Sequence, residues 1–265
     1  MFLGKRQQNQ TTRQLVKSST YKLKNMKIKQ IFIVFALTAM ALPTMAQSLW
    51  TTVEAEKKIV GNLGAYAELE YRTHDGMEST ERFSGTLGLE YKIFKFLKAN
   101  AGYSYIHQQT EDEVTKKGNY IPAYWQPRHR GFFALTGSYK WKNFEFSLRE
   151  RYQYTYRTEQ SVDKFDEDGD RKADELVEGK GKHILRSRLE VEYKIKKCDI
   201  TPFISYELYS GLQNAMATDK MRYTVGASYK INKKHSVNAY YRYIDHSDDD
   251  ESAGHIIGIG YKIKL

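Results

Sequence analysis

The 265-residue sequence is poor in the features that many folds depend on. It has one cysteine, Cys198, so no internal disulfide can form. It has only four prolines, which excludes a proline-rich linker or stalk. After Leu42 no apolar run approaches the roughly 20 residues that a membrane helix needs. Net charge is scarce too, once the start of the chain is set apart. Residues 1–46 carry eight Lys or Arg and no Asp or Glu, and they account for all but +2 of the formal +10. The remainder lacks the basic footprint of a nucleic-acid binder, so no nucleic-acid partner is predicted.

The start reads as a leader. From Met26 the sequence runs "MKIKQIFIVFALTAMALPTMAQ", a short basic start, an apolar run from Ile31 to Leu42, and the small-residue site Thr44-Met45-Ala46. These are the parts of a secretory signal peptide spanning 1–46, with 1–25 as an upstream extension.

The rest of the chain is rich in tyrosine and in strict alternation. Apolar or small residues recur at every second position in Phe83, Gly85, Leu87, Leu89, Tyr91 and again in Phe133, Leu135, Gly137, Tyr139. The pattern returns in Leu189, Val191, Tyr193, in Met221, Tyr223, Val225, and in Ile257, Ile259, Tyr261, Ile263. Period two over about ten residues, repeated about ten times, is the pattern of a transmembrane antiparallel β-barrel. Connections alternate between short ones, such as Lys142-Asn143, and long polar ones, such as Gln108 to Arg128 and Thr158 to Gly181. Short turns at one end and long loops at the other are the outer-membrane arrangement. A soluble β-sandwich would explain the alternation but not the tyrosine-rich segments at both ends of an apolar band.

Five segments end alike: Tyr91-Lys92-Ile93, Tyr139-Lys140-Trp141, Tyr193-Lys194-Ile195, Tyr229-Lys230-Ile231 and Tyr261-Lys262-Ile263. Each marks a strand descending to a short turn, with the tyrosine at headgroup depth on the lipid face. Five descending strands predict an all-β, up-and-down barrel of about ten strands over residues 62–265, with twelve the next even count. Residues 47–61 alternate as well, but one added strand would break the even count. They are predicted as a periplasmic or partly paired segment.

The strand faces opposite the apolar ones carry both signs of charge. Glu68, Glu70, Glu190, Glu192 and Glu207 stand against Arg72, Arg149, Arg151, Arg186, Arg188, Arg222 and Arg242. Such a mixture predicts ion pairs filling a narrow lumen, and about ten strands leave little room beyond them. A small channel or a ligand-binding barrel is the alternative. Glu150 breaks the pattern, because it shares the apolar phase of Leu148 and Tyr152.

In the longest loop, Asp166, Asp168, Asp170 and Asp174 fall at positions 1, 3, 5 and 9 of a calcium loop. Arg171 stands where a glycine is usual and Val177 where a glutamate is expected, so a solvated acidic loop competes with a weak calcium site. No other cofactor and no catalytic set is predicted. His246-Ser247 at a strand end superficially resembles the pair used by lipid A deacylases, but neighbouring residues of a strand point to opposite faces. A lipid hydrolase is therefore the weaker alternative. The expected surroundings are outer-membrane lipid and lipopolysaccharide.

Leu49-Trp50, Glu70-Tyr71-Arg72, Pro202-Phe203-Ile204-Ser205-Tyr206-Glu207, Arg222-Tyr223-Thr224-Val225-Gly226 and His255-Ile256-Ile257-Gly258 together resemble a Bacteroidetes outer-membrane barrel family, the domain of unknown function 2490. The resemblance implies an outer-membrane location and supplies no particular activity or site.

Overall fold

The computed structural model describes residues 46–213, 215–246, 248 and 251–265. The predicted signal peptide, 1–46, lies outside them but for Ala46. In chain order the strands are β1 (Ser48–Val60), β2 (Leu63–His74), β3 (Ser79–Phe94), β4 (Leu97–Gln109), β5 (Glu113–Val114), β6 (Tyr120–Ile121), β7 (Trp125–Trp141) and β8 (Phe144–Arg157). Then come β9 (Gln160–Phe165), β10 (Arg171–Val177), β11 (Lys180–Tyr193), β12 (Ile200–Gly211), β13 (Ala217–Lys230), β14 (His235–Ile244) and β15 (Gly254–Lys264).

Eleven of them close a barrel in the order β1-β15-β14-β13-β12-β11-β8-β7-β4-β3-β2. Every neighbouring pair is antiparallel except one. An odd number of alternating strands makes the first and last run the same way, and β1 lies parallel to β15 from Ser48 beside Ile256 to Glu56 beside Lys264. Its other edge pairs with β2, antiparallel. The segment 47–61, expected as periplasmic or partly paired, is thus a barrel strand paired on both edges. The physical reason is edge satisfaction. β1 pairs one edge with β15 and the other with β2, so the wall closes with no strand edge left open to lipid.

The five Tyr-Lys segments lie at the short-turn ends of β3, β7, β11, β13 and β15, as the repeat predicts. Their tyrosines point outward, with Tyr91, Tyr139, Tyr193 and Tyr229 exposed. Leu69, Leu87, Leu89, Leu135, Leu148 and Ile204 form the exposed apolar band above them. A monomeric soluble protein does not expose such a continuous band. The short turns use left-handed residues at Gly61 and Lys142. At the other end, the two longest connections are not plain loops. β5, β6, β9 and β10 form a separate four-stranded sheet in the order β10-β9-β6-β5, where Ile121 and Val162 are buried.

Inside, glycines make room for rings. A Cβ at Gly88 would collide with the Tyr66 ring, and one at Gly258 would fall within the Tyr240 ring. Aromatic side chains therefore lie across the lumen wall on bare backbone.

Candidate functional site: a charged crossbar in the lumen

Two buried carboxylates organise the half of the lumen nearer the long loops. Glu207 of β12 takes Arg149 Nη2 of β8 at 2.5 Å, Arg186 Nη2 of β11 at 3.0 Å and Arg222 Nη1 of β13 at 3.4 Å. Tyr209, two residues along the same inward face, donates its hydroxyl to Glu207 at 3.3 Å. Glu251 belongs to the connection between β14 and β15, and its side chain reaches into the barrel. It accepts Arg72 Nη1 of β2 at 2.8 Å, Lys220 Nζ of β13 at 3.0 Å, and the second arm of Arg222. Arg222 joins the two hubs. Arg72 continues to Glu70 at 2.9 Å.

The result is a crossbar from β8 and β11 on one wall to β2 on the far wall. Trp50 of β1 closes it. Its ring is 2% exposed, and the Arg72 guanidinium lies 3.5 Å from its centroid, with Arg242 at 5.1 Å and Arg222 at 5.4 Å. Lys220 also holds Asp248, of the same connection as Glu251, at 2.6 Å. Burial alone would push the Glu251 carboxyl up, but Arg222, Lys220 and Arg72 outweigh it and hold it well below the ordinary carboxylate range.

The crossbar takes in six of the twelve lumen charges expected from sequence: Glu70, Arg72, Arg149, Arg186, Glu207 and Arg222. Arg188 and Glu190 form a looser pair at 3.8 Å, nearer the short turns. Glu68, Glu192, Arg151 and Arg242 form no ion pair among the described residues. Glu68 lies directly across from Glu54 in the β1–β2 register. Arg151 stacks on Phe132 at 3.6 Å, and Arg242 donates to Thr224 at 3.0 Å while stacking on Trp50 and Tyr240. Sequence reasoning missed Glu251, Lys220, Trp50 and Tyr209. Lys220 and Tyr209 share the inward phase of Arg222 and Glu207, and the strand pattern could have found them. Glu251 sits in a loop, where no periodicity marks it.

The acidic loop is organised by its own hydrogen bonds and ion pairs. Asp166 Oδ1 accepts the backbone N–H groups of Asp168 at 3.2 Å and Asp170 at 2.9 Å, a turn-closing pattern. The Asp170 amide holds the Asp166 carboxyl below its usual range. Asp174 is taken by Arg171, which also pairs with Asp163. No group of three or more His, Cys, Asp or Glu among the described residues is placed to hold a metal ion. Of the four aspartates Arg171 takes Asp174 alone, and Lys172 lies 3.6 Å from Asp166. His246 is exposed and pairs with Asp245 at 3.0 Å. Ser247 lies outside the described residues. Glu150, on the lipid face, accepts the Ser187 hydroxyl of β11 at 2.6 Å.

Residues 47–253 match the family described as protein of unknown function DUF2490. The chain belongs to that family. No curated protein matches the sequence. Among solved structures, the translocator domain of the autotransporter NalP from Neisseria meningitidis aligns with a TM-score of 0.53 at 10% identity, over 73% of this chain and 72% of that one. The NanC porin aligns with a TM-score of 0.43 at 16% identity, over 81% and 99%. The β domain of the Bordetella autotransporter BrkA aligns with a TM-score of 0.45 at 11% identity, over 77% and 82%. At these identities the likeness is one of fold. This DUF2490 chain folds as the outer-membrane barrels do.

Proposed function

We propose that this DUF2490 protein is an outer-membrane barrel that is shut by its own side chains and acts as a structural or interaction component, not as a general porin. Its short turns face the periplasm, and its long loops, with their four-stranded sheet, face outward. The observation that carries this reading is the crossbar through Glu207, Arg222, Glu251 and Arg72, closed by Trp50. Charges in a confined interior need partners, and a network this interlocked is costly to open, since breaking one buried pair typically costs about 3–5 kcal/mol. Planar-bilayer recording tests it. The expected result is little or no steady conductance, and large, stable openings of the unmutated protein would overturn it.

A second reading rests on the spaces either side of the crossbar. One cavity, toward the long loops, is lined by His74, Glu81, Gln108, Arg128, Arg157 and Glu251. Another, toward the short turns, is lined by Lys92, Lys98, Glu145, Arg188, Glu190 and Glu192. Both are charged and suit a small polar ligand, which would make the barrel a binding vessel with the crossbar as its floor.

A further inference from the structure

The outer face at the long-loop end repeats one arrangement three times. Tyr103 and Tyr105 of β4 stand beside His129 of β7. Tyr152 and Tyr154 of β8 stand beside His183 of β11. Tyr241 and Tyr243 of β14 stand beside His255 of β15. In each case the two tyrosines are two positions apart on a strand running toward the long loops. The histidine lies on the next strand, directly opposite the upper tyrosine. The histidine ring is near both tyrosine rings, with centroids 6.1 and 5.6 Å apart in the first set, 6.0 and 4.6 Å in the second, 5.8 and 5.1 Å in the third. In every set the lower tyrosine hydroxyl bonds to the same ring atom, Nδ1, at 2.6 Å for His129 and 2.8 Å for His183, and likewise for His255.

The bond suits a tyrosine hydroxyl that donates to the Nδ1 lone pair, and in that tautomer the neutral ring carries its proton on Nε2. If the ring is protonated, both nitrogens are donors. In both of these states Nε2–H is a donor. Among the described residues Nε2 of these three rings has no protein partner, and all three rings lie on the face that the barrel turns to lipid. A donor on this face without a protein acceptor is open to one supplied from outside, and three of them stand at the same end of the barrel.

We propose that these three Tyr–His sets form a belt that binds the phosphate groups of membrane lipids in the leaflet at the long-loop end. Phosphate oxygens suit the belt because they are strong acceptors at headgroup depth, where the tyrosine hydroxyls already lie. The inference rests on the transmembrane reading above, and deepens it by naming what the lipid face recognises.

The test uses the full barrel reconstituted in two bilayers, one of phosphatidylglycerol and one of a neutral galactolipid without phosphate. Solid-state NMR would measure dipolar contact between histidine Nε2 and lipid phosphorus, with the three signals assigned from the single variants His129→Phe, His183→Phe and His255→Phe. The expected result is phosphorus contact at all three rings. The heat-modification midpoint should also be several degrees higher in phosphatidylglycerol than in galactolipid, and the triple variant should lose most of that difference. A triple variant that keeps the difference, or rings without phosphorus contact in a folded barrel, overturns the proposal. Failure of the unmutated protein to insert in either bilayer would instead sink the transmembrane reading beneath it.

Discussion

The Arg72 guanidinium lies flat against the Trp50 indole, 3.5 Å from its centroid, and this contact ties β1 to the lumen network. Trp50 is the only aromatic side chain of β1, and Arg72 sits beside it in the β1–β2 register. The ring keeps water from one face of a guanidinium whose arms are committed to Glu70 and Glu251. Trp50→Ala is therefore expected to destabilise the barrel by about 3–5 kcal/mol, the usual cost of removing a buried large aromatic ring. It should also raise bilayer conductance by opening a gap beside the crossbar. Urea unfolding in micelles, followed by gel mobility, reads the first effect.

Glu207 should matter far more than Glu190 and Glu192 together. Glu207→Gln strands Arg149, Arg186 and Arg222 around a neutral amide, and about 3–5 kcal/mol is expected to be lost. Glu190 holds Arg188 only at 3.8 Å in a partly open cavity, so the double replacement by Gln should cost less. Equal losses in the same unfolding assay would contradict the hub role of Glu207.

Glu251 makes its hold on Arg72, Lys220 and Arg222 dependent on pH in a stated direction. Its folded carboxyl is held well below its unfolded value, so the stability it contributes is fully present above about pH 4.3. That stability is lost as pH falls through the lower folded value. Protease cleavage in the 245–253 segment should stay slow from pH 8 to pH 5 and rise only under strong acid. Glu251→Gln should be cleaved readily across that whole range.

The parallel seam can be tested by cross-linking. In a Cys198→Ser background, the pair Ala55→Cys with Ile263→Cys places thiols on register partners of β1 and β15. Oxidation should join them in the folded protein. The pair Val53→Cys with Ile263→Cys is two positions out of register and should join poorly. Equal yields would mean that β1 is not fixed against β15.

Glu150 sits midway along β8 on the lipid face, with Ser187 as its hydrogen-bond partner. An acidic side chain there costs less than the roughly 2–4 kcal/mol of a basic one, but it still costs. Glu150→Leu should leave stability unchanged or raise it by up to about 2 kcal/mol. Ser187→Ala should lower it, and should have no such effect when Glu150 is already Leu. A double-mutant cycle in micelle unfolding decides this.

The sequence by itself determined the class of fold, the position of most turns and which face of most strands meets lipid. Those features follow from local rules. Side chains alternate with period two, tyrosine sits at headgroup depth, and short turns need few residues. It also placed charges of both signs in the lumen. It did not reveal β1 as a barrel strand, because the alternation of 47–61 was weighed against an even strand count, and β1 ends without the Tyr-Lys signature of the five other descending strands. Nor could it pair the charges. Arg149 and Glu207 are 58 residues apart, and Arg72 and Glu251 are 179 apart. Only closure of the barrel brings such residues within 3 Å, because the shear of the strands, not their order in the chain, sets which side chains share a level. The same closure set Arg151 and Arg242 on aromatic rings instead of in ion pairs, and it drew Glu251 from a loop into the centre of the network.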